Sequence, residues 1–413
     1  MLLGEGRSFL QQTMTMKSGG ADDDNSILLM TDMDLSLSHG PGPTHRMVFL
    51  IRYLDERSMP YTAIFPLSKG PVRHWKNGAG TFIGVPSAIL GDFLPGGSRR
   101  QVQLNVLRLM RVALRILRMR QRHWRICLVH GDFMAVMAAA LRQMGKIDFL
   151  VYEDLDFLPA FVGPPYSFNR AQIAHTETWA IRNSDLVVSV SNELAELRLR
   201  QGARKTITVP NGVDFFAFES AKSEGGRKPY LLYSGTLAVW SGVHVTISAL
   251  PRIIKSAPEA RFRVIGRGFC DPELRVLARE RGVETAVDFL GPKKHDELPS
   301  LYSDCSVGMA VFPDNELMRY SFPLKVPEFL AAGLPVVSTG ADGTRQVLGD
   351  SGACLFVEND PDEIAEACTT LLTDRSRWSE MSERAKKAAR KLDWRLLFDD
   401  EMRHIWNLAG GKK

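Results

Sequence analysis

Lys325 and Glu328 stand three residues apart in a segment that reads Arg319-Tyr320-Ser321-Phe322-Pro323-Leu324-Lys325-Val326-Pro327-Glu328 and runs on to Gly333-Leu334-Pro335-Val336-Val337. Pro323 has the fixed φ and missing N–H that suit a first helical turn, and Gly333 suits a left-handed helix stop. The segment is therefore predicted to be a loop, a short helix and a buried strand. Backbone N–H groups around Leu324 and Lys325 would face outward at the positive end of the helix, where an anion is favoured, and Lys325 adds a full charge. Glu328 falls on the same face and can accept hydrogen bonds from hydroxyl groups. A cation beside a hydroxyl acceptor suits a sugar nucleotide. The alternative, an ordinary surface Lys–Glu pair, leaves the Pro start, the Gly stop and the Pro-Val-Val strand unexplained.

Other candidates are acidic. Asp32-Met33-Asp34 and Asp154-Leu155-Asp156 both fit a D-x-D pattern that could hold a divalent metal on a diphosphate, although a pattern so short arises often by chance. The strand-end carboxylates of Asp154 and Asp156 could also simply cap the turn that follows a strand. His39, His45 and His130 lack the spacing of a metal cluster, and no metal is expected. The five cysteines are odd in number, widely spaced and without C-x-x-C, which fits a reducing compartment and neither a disulfide framework nor a zinc site.

These residues need a scaffold of two domains, for which 413 residues are ample. From Ile27 onward, apolar runs of strand length (27–31, 61–65, 126–130, 149–152, 186–190, 206–209) alternate with helical periodicity (44–55, 101–122, 169–183), the rhythm of a doubly wound parallel sheet. Residues 220–229 have linker composition. The rhythm then restarts with strands at 230–235, 262–266, 287–291, 307–312 and 335–338. The expected organisation is a loose tail over 1–26, an N-terminal domain over 27–219, a second domain over 230–392 and a closing helical segment over 393–413. Ligands of such sheets collect beyond the strand C-termini, so the loops at 36–43, 235–242, 266–268 and 312–323 are expected to face one interdomain crevice.

Charge divides unevenly, +7 for residues 1–210 against −2 for residues 211–413. Much of the excess lies in 99–125, which has nine Arg and no acid, with Arg108, Arg111, Arg115, Arg118 and Arg122 on one helical stripe. Two readings stand: a solvated face over a core helix, or a face resting on anionic lipid headgroups. Nucleic acid is not expected, because no aromatics interleave the arginines. With neither a signal peptide nor a membrane-length apolar run, the expected location is the cytosol, with the inner face of the membrane as an extension.

Taken together, Ser184–Ser191, Val209-Pro210-Asn211-Gly212-Val213-Asp214, Ser234-Gly235-Thr236-Leu237 with Trp240-Ser241-Gly242-Val243, and Pro323–Val337 resemble the retaining glycosyltransferases of family 4, over roughly residues 27–408. The resemblance implies the GT-B fold, an α/β architecture of two Rossmann-like domains, and transfer of a hexose-type sugar from a nucleotide-diphosphate donor to a sugar, glycan or lipid-linked acceptor with retention. It gives Glu328 the ribose-binding role of the second glutamate in the family's paired motif; Tyr320 occupies the position of the first. It places Gly40 and Gly42 in a glycine-rich loop near the donor phosphate, and Gly235, Thr236, Ser241 and Gly266 in the donor loops of the second domain. Thr236 and Ser241 stand where the family carries its two diphosphate-gripping cations, leaving Lys325, Arg319 and Arg267 as substitutes beside Pro323 and Leu324. Asp154 and Asp156 take the place of the acceptor-side polar residue. No cofactor or obligatory metal is implied. Two alternatives remain, a sugar-nucleotide epimerase or phosphorylase of the same architecture and a non-catalytic partner subunit.

Overall fold

The computed structural model describes residues 26–35, 42–67, 73–86, 123–161, 170–221, 226–340 and 342–410. The chain forms two compact units, one holding residues up to Val209 together with those from Phe398, the other Pro210–Leu397. The arginine stripe 108–122, residues 1–25 of the expected tail and the loop residue Gly40 lie outside the described residues.

The first unit is built on an eight-stranded sheet in the order β3-β4-β2-β1-β5-β6-β7-β8. Its strands are β1 (Ile27–Thr31), β2 (Tyr61–Leu67), β3 (Arg73–Asn77), β4 (Gly80–Pro86), β5 (Trp124–His130), β6 (Ile147–Asp154), β7 (Leu186–Ser189) and β8 (Thr206–Thr208). All pairings are parallel except β3 with β4, an edge hairpin turning at Gly78-Ala79. The sequence reading had missed this hairpin. β1 lies between β2 and β5 and is buried throughout, which explains its unbroken apolar run. The helix Gly42–Glu56 begins where a glycine-rich loop was expected to continue. Gly42 and Pro43 belong to its first turn, where proline costs no hydrogen bond.

The second unit carries a six-stranded, wholly parallel sheet in the order β11-β10-β9-β12-β13-β14. These strands are β9 (Tyr230–Ser234), β10 (Arg261–Ile265), β11 (Val287–Gly291), β12 (Val307–Ala310), β13 (Val336–Ser338) and β14 (Cys354–Phe356). The order reverses between β9 and β12, a topological switch point where a doubly wound sheet leaves room for a ligand beyond its strand ends. One continuous core joins Leu231, Tyr233, Phe262, Val264, Val307, Met309 and Val337 of the strands to Val243, Ile247, Leu250 and Ile253 of the covering helix Val243–Ser256.

The units change at Val209/Pro210, upstream of the linker expected at 220–229. Local contacts explain the shift. Asn211 donates from Nδ2 to the Phe322 carbonyl at 2.7 Å, Val213 bridges Asp393, and the Phe215 N–H donates to Asp393 Oδ2 at 3.2 Å. The last helix, Trp394–Leu408, falls to the second unit up to Leu397 and to the first from Phe398. In the first unit, Arg46 donates to Glu153 at 3.2 Å and to Glu401 of that helix at 2.8 Å, and all three side chains are buried.

Candidate active site

The switch point of the second unit is organised around Lys325. Its helix, Lys325–Ala331, starts two residues after Pro323, whose carbonyl accepts from the Val326 N–H at 3.0 Å. It stops at Gly333 (φ +69°), where the Leu334 N–H bonds back to Phe329 O at 2.9 Å, the expected left-handed cap. With only seven residues, this helix supplies a modest dipole, so the cationic character rests on the Lys325 side chain. That amine lies 3.9 Å from the centroid of the Tyr233 ring on β9 and 5.5 Å from that of Phe312, just after β12. Thr339 pins Phe312 by accepting from its N–H at 2.8 Å and donating to its carbonyl at 2.7 Å.

Backbone comes close to the same amine. A Cβ on Gly235 would lie 3.0 Å from Lys325 Nζ, and a Cβ on Gly266 would overlap the Gly235 carbonyl oxygen, so both loops approach as only glycines allow. The two residues have φ of +141° and +134°. Desolvation pushes the Lys325 amine down to about 7, with Glu328 opposing the shift. Burial also pushes the Glu328 carboxyl up to about 7, against the Tyr302 hydrogen bond and the charge of Lys325. A desolvated ammonium of this kind gains most when an anion reaches it.

Glu328 is buried. Its Oε2 accepts from the Tyr302 hydroxyl at 3.0 Å, while His295 Nδ1 stands 3.7 Å from Oε1. Sequence reasoning had missed Tyr233, Tyr302, His295, Phe312 and Asn211. Among them only Asn211 carried a signal, as part of the Val-Pro-Asn-Gly motif. The remaining donor candidates lie on loops and helix ends of the same unit. Pro323 and Leu324 are half-buried on the approach to the helix. Thr236 is exposed and its carbonyl accepts from the Tyr233 hydroxyl at 2.8 Å, whereas Ser241 is buried. Arg267 is exposed, its carbonyl held by the Leu237 N–H at 3.0 Å. Arg319 is half-exposed and reaches Asp314 and Asp342 only at 3.8 Å, while Tyr320 is partly buried at the end of the helix Glu316–Tyr320.

The first unit has a switch point of its own, between β1 and β5, and its chemistry is acidic. His130 ends β5, with Nδ1 at 3.1 Å from the Glu153 carbonyl and Nε2 at 4.0 Å from Asp32 Oδ1. Burial raises the Asp32 carboxyl, and burial with the charge of Glu177 lifts Asp132 to about 8 even though Tyr152 donates to it at 2.7 Å. Asp154, at the end of β6, is not available to an acceptor. Arg198 grips both its oxygens at 2.8 Å and Ser189 donates to Oδ2 at 2.9 Å. The same guanidinium spans Glu177 at 2.7 and 2.8 Å, with both side chains fully buried. A strand-end carboxylate here neutralises a buried arginine. Asp156, two residues on, is partly exposed and carries a carboxyl lifted to about 7 by burial and by Asp154. Among the described residues, no three His, Cys, Asp or Glu side chains are grouped to hold a metal ion.

Two parallel-sheet Rossmann-like units with these switch points define the GT-B fold of glycosyltransferases. The fold matches sucrose-phosphate synthase from Thermosynechococcus elongatus with a TM-score of 0.74 at 17% identity, over 93% of this chain and 99% of that one. HepE of Anabaena, solved with UDP-glucose, matches with a TM-score of 0.68 at 17% identity over 92% and 99%. Residues 228–374, which hold Gly235, Gly266, Tyr302, Lys325 and Glu328, match the family model described as glycosyl transferases group 1. Glycogen synthase of Mycobacterium tuberculosis is 29% identical over 235 residues, 54% of this chain and 54% of that protein. The chain spans about half the length of the curated relatives it matches.

Proposed function

We propose that this chain is a retaining glycosyltransferase of family 4, which moves a hexose-type sugar from a nucleotide diphosphate to a hydroxyl acceptor. The observation that carries this reading is the Lys325 amine, held against the Tyr233 ring at 3.9 Å and beside Gly235, with the Glu328 carboxylate one helical turn away. Support comes from the group 1 family match over 228–374 and from the UDP-glucose seen in the HepE structure. In this reading Lys325 and the Gly235 and Gly266 loops receive the diphosphate, and Glu328 accepts from the ribose hydroxyls. The acceptor attacks on the face the diphosphate leaves, and that diphosphate takes the acceptor proton. Catalysis is then positioning and electrostatics, without an obligatory metal or a protein nucleophile. Asp156 is the acceptor-side group of this proposal.

Thermal unfolding of the purified chain with UDP-, GDP- and ADP-sugars tests it, because a ligand of the folded state raises the midpoint by mass action. One donor should stabilise and then yield a glycoside of unchanged anomeric configuration. Stabilisation by none overturns the reading. Thr236 and Ser241, standing where the family has cations, favour a second reading as a non-catalytic partner subunit, which transfer by the purified chain alone would exclude. A lipid-linked acceptor at an anionic membrane extends the proposal through the arginines at 108–122. Among the described residues no helix is long and apolar enough to cross a membrane. Salt-sensitive pelleting with anionic vesicles, lost when Arg111, Arg115 and Arg118 become Gln, tests that extension.

A further inference from the structure

We propose that Tyr302 is a positioning residue for the donor, holding one oxygen of Glu328 so that the other is aimed at the ribose; this rests on the donor-site reading above. Tyr302 lies on the helix Leu298–Ser303 and is fully buried. Its ring packs against Phe218, at 5.4 Å between centroids, and Phe329, at 5.5 Å, in the buried core of the unit. The hydroxyl donates to Glu328 Oε2 at 3.0 Å. A carboxylate has two oxygens, and this bond commits one of them. Oε1 has His295 Nδ1 at 3.7 Å, outside hydrogen-bond length, and so keeps its lone pairs for a ligand. The titratable groups facing Glu328 are therefore Tyr302, His295 and, from its own helix, Lys325.

The bond also governs charge. Tyr302 favours the ionised form of a carboxyl whose burial favours the neutral one, and the ionised form is the stronger acceptor for ribose hydroxyls. Removing the phenolic oxygen leaves Glu328 less oriented and more often protonated near neutral pH.

Tyr302→Phe keeps the ring and deletes the bond. Calorimetry would compare the tightest binder among UDP, GDP and ADP, its 2′,3′-dideoxy analogue and inorganic pyrophosphate. The substitution should weaken the natural nucleoside diphosphate roughly tenfold or more, the scale of a hydrogen bond to a charged group, and leave the dideoxy analogue and pyrophosphate within about twofold of wild type. The ribose-dependent part of the affinity should also recover toward higher pH in the variant. Pyrophosphate binding serves as the fold control. Equal weakening of the nucleoside diphosphate and its dideoxy analogue, or no weakening of either, overturns the role of Tyr302 while leaving the donor site standing. Wild-type protein that binds none of the three nucleoside diphosphates overturns the donor site and this role with it.

Discussion

The two units share a doubly wound design and put opposite chemistry at their switch points. Beyond β9 and β12, one cation stands among glycine backbone and aromatic rings, its amine desolvated to about 7. Beyond β1 and β5, Asp32 and Asp132 stand with His130, Asp132 being lifted to about 8, and beyond the neighbouring β6 Asp156 is lifted to about 7. The same topology thus sets a lone ammonium at one switch point and, in the other unit, carboxyls that burial pushes toward their neutral form. Architecture sets where a ligand sits, and the side chains set its charge. The difference also extends to how the charge is kept. Lys325 has no carboxylate in direct contact among the described ion pairs, whereas Arg198 is fully spent on Asp154 and Glu177. One half-buried cation has no carboxylate among the described ion pairs, and the other is enclosed in a buried network.

The comparison can be broken first at Arg198. Arg198→Met leaves Asp154 and Glu177 buried without a counter-charge, and removing one partner of such a network costs about 3–5 kcal/mol. Urea unfolding should show that loss. A change below about 1 kcal/mol would mean that the acidic unit tolerates its carboxyls unaided, and the contrast between a structural and a functional cation would fail.

A smaller effect sharpens the other side. Glu328→Gln keeps the volume and one acceptor oxygen but loses the charge, and should weaken nucleoside-diphosphate binding at least as much as Tyr302→Phe does, by about 1.5–3 kcal/mol. Wild-type affinity and turnover in the variant would remove Glu328 from the donor site. The smallest expected effect is none at all: activity should survive excess EDTA, since Lys325 and the glycine loops supply the charge stabilisation. Loss of activity on chelation, restored by magnesium or manganese, would return the Asp32-Met33-Asp34 motif to consideration.

Much of this was legible in the sequence because the strands carry apolar runs, fully buried in β1 and only partly so in the edge strand β11. β1 and β11 fall on the residues where the apolar runs place them, and Gly333 ends its helix where a left-handed residue is needed. The β3–β4 hairpin escaped because β3 reads Arg-His-Trp-Lys-Asn, the charged composition of an edge strand, and offers little apolar alternation. Arg198 reads as one more surface arginine in Leu-Arg-Leu-Arg. Its burial follows only from Asp154, 44 residues away in sequence, and Glu177, 21 away. Tyr302 likewise reads as a core aromatic until Glu328 is seen at its hydroxyl. Lys325 and Glu328 were legible because proline, glycine and a helical spacing fix their relation locally, whereas partners set by tertiary contact leave no pattern in a single chain.

The central claim is that Lys325 is a desolvated cation waiting for a diphosphate, and proton-linked calorimetry at pH 8 tests it. With its amine near 7, Lys325 is mostly neutral at that pH in the free protein. An arriving anion raises that value and the site takes up a proton, while Glu328, already mostly ionised at pH 8, contributes little. Titrating UDP, GDP and ADP in two buffers of different ionisation enthalpy should therefore show uptake approaching one proton for wild type. Lys325→Ala should abolish the uptake and cost about 1–3 kcal/mol of affinity, with no loss of thermal stability, because the folded protein no longer carries a desolvated amine. Unchanged affinity and unchanged proton uptake in Lys325→Ala would contradict the account.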